Sequence, residues 1–317
     1  MVWFFVLIFL ISCALLFWSA NFLVGALSKI AKFLGWKEFV VAFFILSFAT
    51  SIPNLFVGII SALNKVPELS FGDIVGANII DLSLVMALAA LISKAGISAP
   101  SRTIQGSSLF TIGVAVLPLV LIQDGVLSRL DGILLLSAFF IYLSWLFRKR
   151  ERFEKTYDGI SEPFGLKFFF KNIFLFLGSV LLLLISAEGI VKSAIFFADY
   201  LNFPPSIIGI LIIALGTSLP EASFVLQAAR KSQDWLILGN LMGSVVITTT
   251  LVLGIVSLLY PIRITDSSPF AIARLFLVIS ALFFFFAVRT DHKITRKEAL
   301  FLLGIYIAFV ATLVTMK

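Results

Sequence analysis

One cysteine and one histidine are all that 317 residues provide. Cys13 alone cannot close an intramolecular disulfide, and Cys13 with His292 cannot build a Cys/His zinc site or a histidine-dependent catalytic centre. Charge is scarce too: Asp, Glu, Lys and Arg make up 13% of the chain against 61% hydrophobic residues, too little to cover a water-facing surface. Nor is there a hydrophilic stretch long enough for a soluble domain, the longest running from Arg148 to Lys167. The net charge of +7 does not point to nucleic acid, because the basic residues sit between apolar runs and form no continuous basic face.

What is present is apolar sequence in span-length blocks, with 35 Phe among the aliphatic residues. A bilayer crossing needs about 20 such residues. Apolar windows predict helices near 2–27, 39–63, 70–92, 104–122, 131–147, 168–198, 205–229, 235–259, 270–288 and 298–316. The first window has no cationic lead and no small-residue cleavage pattern, so it is expected to remain as a span. An amino terminus outside puts eighteen of the 24 Lys and Arg in cytoplasmic connections or at cytoplasmic span ends, including Lys94, Arg148, Lys171, Arg230 and Arg296. Both termini are then outside and 148–171 is cytoplasmic, in what is expected to be the plasma membrane.

Sliding the chain against itself until Ala49 meets Gly216 aligns Ala49-Thr50-Ser51-Ile52-Pro53-Asn54 with Gly216-Thr217-Ser218-Leu219-Pro220-Glu221 without a gap. The same register pairs Gly72 with Gly239, Gly76 with Gly243, and Arg129 with Arg296. Shared Pro, Gly, Thr, Ser and Arg positions mark a duplication. Each copy holds five spans, an odd number, so the second copy enters the membrane from the opposite side. The expected fold is an all-α polytopic membrane protein of ten transmembrane helices in two inverted five-helix repeats, 1–149 and 168–317, joined by a cytoplasmic linker at 150–167. Inverted repeats of this kind place substrate sites between their halves, near the bilayer midplane.

The polar residues of the second and seventh spans are the candidates for that site. Ser47, Thr50, Ser51 and Asn54 follow i, i+3, i+4, i+7 spacing and share one helix face. Thr217, Ser218 and Glu221 repeat the arrangement, with Ala214 offering at most its backbone. Asn78, Asp81, Ser244 and Thr248 come from the adjoining spans. Pro53 and Pro220 are expected to break the helical ladder, freeing the carbonyls of Ala49 and Gly216. A carboxylate in mid-membrane costs about 2.5–3.5 kcal/mol even on the lenient insertion scale, so Asp81 and Glu221 call for a compensating cation or proton. An all-oxygen set suits hard ions such as Na⁺, Ca²⁺ or Mg²⁺. Asp73, beside Gly72, reads as a helix start, with capping as its role or an entrance ligand as the alternative; Glu188 and Lys192 are spaced to pair on one helix face.

These motifs, Gly216-Thr217-Ser218-Leu219-Pro220-Glu221 above all, resemble those of the cation/Ca²⁺ antiporter superfamily, the sodium/calcium exchangers and their prokaryotic relatives. The resemblance spans nearly the whole chain. It implies a secondary active cation antiporter, not an enzyme, with no cofactor, whose partners are the lipid bilayer and small inorganic cations, Na⁺ and Ca²⁺ or H⁺. It further implies that spans one and six slide past a core holding the ions. Asn54 departs from the family pattern, which has a second glutamate there; Ala77, Val245 and Thr248 depart as well. Counting Asp81 and Glu221 alone gives two charges, hence weaker Ca²⁺ binding and less electrogenic exchange. The alternatives are a cation/proton exchanger with weak Ca²⁺ selectivity, a non-transporting ion sensor, and an intramembrane aspartyl protease using Asp73 and Asp81. On this two-charge count Asn54→Glu should strengthen competition by divalent ions, measured as Ca²⁺ inhibition of Na⁺ flux in liposomes; unchanged competition removes Asn54 from the site.

Overall fold

The computed structural model describes residues 2–33, 46–93, 96–99, 102–148, 166–264, 268–290 and 292–315. The expected beginning of the second span, 39–45, and linker residues 150–165 lie outside them. Span one is Val2–Phe33, span two Leu46–Leu63, span three Glu68–Ile92, span four Arg102–Leu121 and span five Arg129–Arg148. Span six is Leu166–Leu201, and span seven is the pair Pro205–Thr217 and Leu219–Arg230, bent by 43° at its break. Spans eight, nine and ten are Asp234–Leu259, Ser268–Thr290 and Arg296–Thr315. The molecule is an integral membrane protein of ten helical spans in two inverted repeats.

Packing obeys the duplication. Span three lies along span seven as span eight lies along span two, and span five against span eight is mirrored by span ten against span three. Spans four and nine meet each other, as do spans one and six. Two short strand pairs test the parity of the crossings. Ile97–Ser98, after span three, pairs with Lys293–Ile294, after span nine; Val126–Leu127, after span four, pairs with Ile262–Arg263, after span eight. Six helices separate the first pair in sequence and four the second, both even, so the partners can meet only if the intervening helices bring the chain back to the same face.

Burial is arranged for lipid, not water. In spans three and eight 83% of the residues of the apolar window are inside the protein, whereas in spans one and six the figures are 22% and 28%. Trp3, Leu130 and Phe174 are among the large apolar side chains left on the outside, while the buried set includes Ser, Thr, Asn, Asp and Glu from the central spans. Helix ends leave backbone donors and acceptors without partners inside the helix, and side chains supply several of them here. Ser128 and Asp131 form a reciprocal capping box at the start of span five: Ser128 N–H donates to Asp131 Oδ2 at 2.8 Å and Asp131 N–H to Ser128 Oγ at 3.3 Å. Thr295 and Glu298, their mates in the repeat register, do the same for span ten at 2.7 and 3.3 Å. Arg129 donates to the Leu258 carbonyl at the end of span eight, and Arg296 to Ser93 just after span three, placing cations at the negative helix ends.

The crossing of spans three and seven requires glycine. A Cβ on Gly72 would overlap the Ser206 carbonyl, one on Gly76 would lie 2.5 Å from the Ile210 carbonyl, and one on Gly209 would overlap the Leu69 carbonyl. Helices in lipid associate through such close backbone approach, since lipid offers no hydrophobic drive between them. Gly304 in span ten has open space around it. Gly72→Leu should therefore abolish recovery of monodisperse protein on size-exclusion chromatography, while Gly304→Leu should elute as the parent does.

Candidate functional site

The four central spans are tied together by side-chain hydrogen bonds at one level. From span two, Ser47 donates to the Gly239 carbonyl at 3.2 Å, Thr50 to Asn240 Oδ1 at 3.2 Å, and Ser51 to Ser244 Oγ at 3.1 Å, all on span eight. Asn54 Nδ2 donates to Asp73 Oδ2 on span three at 3.2 Å. Thr217 of span seven donates to Asp73 Oδ1 at 2.6 Å. Ser244 reaches Glu221 Oε1 at 3.4 Å, and Thr248 donates to Asn78 Oδ1 at 3.1 Å. All twelve positions expected in the site are buried, none more than 3% exposed.

Local structure explains how these side chains converge. Span three is π-helical over Ile80–Val85 and span eight over Ile247–Val252, segments that coincide end to end in the repeat register. Such a turn widens the helix and re-aims the side chains it carries, and Asp81 and Thr248 sit at equivalent places within them. Span seven has a third π turn at Gly209–Ile213, just before its break. Nothing in residue type announced these turns.

Several expectations require correction. Span two runs helically through Pro53, while span seven bends at Ser218, directly before Leu219-Pro220. The Ala214 carbonyl is already engaged, by Ser218 N–H at 3.0 Å and the Thr217 hydroxyl at 3.3 Å. Asp73 is no helix start: span three begins at Glu68 with Pro67 before it, and Asp73 is wholly buried a turn further on. Its carboxylate accepts from Asn54 and Thr217, two residues of the expected site. Asn240 was missed altogether. The repeat register could have found it, because Asn240 is the mate of Asp73, and Thr217 serves Asp73 as Thr50 serves Asn240. Glu188 and Lys192 do pair, at 2.9 Å on a largely exposed face of span six.

Chemically, the site leaves buried polar atoms of both kinds unpaired, the amide nitrogens of Asn78 and Asn240 as well as oxygens. Glu221 Oε2, Asp81 Oδ1 and Ser218 Oγ are buried without a hydrogen-bond partner, which native proteins rarely tolerate without a ligand. Among the described residues no group of three acidic, histidine or cysteine side chains is arranged to hold a metal ion. Any cation held here would therefore take hydroxyl, amide or carbonyl oxygens alongside carboxylates, as hard ions readily do.

Inverted five-helix repeats meeting at a desolvated oxygen chamber define a transporter class. The chain belongs to the sodium/calcium exchanger protein family, whose model matches residues 4–148 and 171–315, one match for each repeat. It is 28% identical to the sodium/calcium exchanger MaX1 of Methanosarcina acetivorans over 97% of both chains. It is also 27% identical to the inner membrane protein YrbG of Escherichia coli, over 96% of this chain and 95% of that one. Among solved structures, the sodium-calcium exchanger NCX_Mj soaked with Na⁺ and Sr²⁺ superposes with a TM-score of 0.68 at 26% identity, covering 98% of this chain and 99% of the other.

The short Thr217–Asp73 bond gives a direct test of the network. Thr217→Val keeps the shape and leaves Asp73 Oδ1 without its donor, a loss of about 1.5–3 kcal/mol for a hydrogen bond to a charged group. The variant should unfold at a lower temperature in detergent, and Thr217→Ser should unfold near the parent.

Proposed function

We propose that this cation antiporter exchanges Na⁺ for Ca²⁺ by alternating access around a midplane site made by Ser47, Thr50, Ser51, Asn54, Asn78, Asp81, Thr217, Ser218, Glu221, Ser244 and Thr248. The observation that carries this reading is the pair of unpartnered carboxylate oxygens, Glu221 Oε2 and Asp81 Oδ1, buried with the unpartnered Ser218 hydroxyl. The names of the relatives, sodium/calcium exchangers among them, point the same way.

Coupling follows from electrostatics. Bare carboxylates resist being sealed in an apolar interior, whereas carboxylates neutralised by a bound cation do not. The loaded states can therefore occlude and reopen on the other side, and the empty state cannot, so each ion's crossing requires the counter-ion's return. Spans one and six suit the moving part. They lie along each other, most of their surface faces lipid, and span one meets span seven at Cys13, whose sulfur would lie 2.8 Å from a Cβ on Gly216. The two repeats, 1–149 and 168–317, would present the site alternately to the two faces, with both termini outside and the 148–171 connection in the cytoplasm of a plasma-membrane protein.

Radiolabelled Ca²⁺ uptake into proteoliposomes, with Na⁺, K⁺ and pH gradients imposed separately, tests the reading. An outward Na⁺ gradient should drive uptake, and Asp81→Asn and Glu221→Gln should each reduce it by about tenfold or more, since ligand charge sets affinity for Ca²⁺. Uptake driven by a pH gradient without Na⁺ selects a cation/proton exchanger instead. Binding without flux selects a sensor.

A further inference from the structure

The two repeats carry the same pair of functional groups in opposite order. Positions 54 and 221 are equivalent, as are 73 and 240. In the second repeat the acid is on span seven, Glu221, and the amide on span eight, Asn240; in the first the amide is on span two, Asn54, and the acid on span three, Asp73. The structure brings the first-repeat pair into contact, with Asn54 Nδ2 donating to Asp73 Oδ2 at 3.2 Å. The threonine donors are equivalent too, Thr217 to Asp73 at 2.6 Å and Thr50 to Asn240 at 3.2 Å.

We propose that Asp73 is a third carboxylate of the cation site, carrying on span three the charge that Asn54 lacks on span two. The proposal rests on reading the chamber as a cation site. Asp73 has no exposed surface, and among the described residues no Lys or Arg forms an ion pair with Asp73, Asp81 or Glu221; the Lys192–Glu188 pair lies elsewhere. Each Asp73 oxygen accepts one hydrogen bond, while a carboxylate has about four acceptor positions. Lone pairs thus remain for a cation after Asn54 and Thr217 are served. Two neutral donors do not discharge a buried carboxylate, so a bound cation, or a proton when the cation leaves, has to.

Among the described residues no three acidic side chains converge on one metal position, so the three negative charges are shared between ions: one divalent with one monovalent ion, or three monovalent ones. This replaces the count made from Asp81 and Glu221 alone. It also reverses the expectation for Asn54→Glu, which would set a new carboxylate against Asp73 and repel it instead of completing the site.

The test is a charge exchange in the full-length protein. Ca²⁺ affinity is read from Na⁺-driven flux in proteoliposomes and from Ca²⁺-dependent thermal stabilisation in detergent, for Asp73→Asn, Asn54→Glu, the double variant, and Glu221→Gln as reference. Each of the first two should lose about tenfold in Ca²⁺ affinity, and the double variant should return to within about threefold of the parent, the non-additivity expected of groups in contact. Parental affinity in Asp73→Asn overturns the proposal. So does a double variant no better than Asn54→Glu alone, a comparison that stands even if Asp73→Asn does not fold. Parental affinity in Glu221→Gln would instead overturn the cation site itself, whereas a dead Glu221→Gln beside an unaffected Asp73→Asn overturns Asp73 alone.

Discussion

A polar atom inside a bilayer has no solvent to fall back on, and the rest of this structure follows from that constraint. Backbone groups are closed within helices, helix ends are closed by Ser128, Asp131, Thr295, Glu298, Arg129 and Arg296, and the remaining polar side chains are gathered between the four central spans. There the closure is deliberately incomplete. Glu221, Asp81 and Ser218 keep buried oxygens without partners, and the free energy withheld from them is what a cation would supply on binding.

Duplication supplies the frame, and the departures from symmetry supply the chemistry. Capping boxes, arginine caps, strand pairs and π turns recur in the repeat register or close to it, so each half solves the same packing problem in the same way. The oxygens do not recur. Asn54 faces Glu221 across the register, Asp73 faces Asn240, and Asp81 faces Thr248, so that acids and neutral groups alternate between halves. Span seven bends by 43° while span two stays helical through its proline, a further difference between the halves at the same level. Two inverted copies captured in one conformation cannot be identical if one side of the site is to be open while the other is closed.

The charges also limit which states can exist. Asp73, Asp81 and Glu221 are all buried, and apolar surroundings screen repulsion between bare carboxylates poorly. Spans one and six, both little buried, pack mainly on each other and on spans two and seven, outside the polar contacts that join spans two, three, seven and eight.

Membrane residence, ten spans, their inverted duplication and eleven polar positions that prove to be buried were legible from residue order alone, because apolar run length, periodicity and the register between the two halves are one-dimensional signals. Asn240 was not, and Asp73 only as an entrance ligand offered beside a capping role. Asp73 looked like a cap because glycine and a short polar residue often open a helix, and only the approach of spans two and seven, made possible by Gly72, Gly76 and Gly209, shows what its carboxylate meets. The π turns were hidden for a similar reason: whether a helix admits an extra residue depends on the neighbours it packs against. Sequence determined which oxygens enter the membrane; tertiary structure decided which of them face one another, since charge balance in a buried chamber depends on distances between spans that no local pattern records.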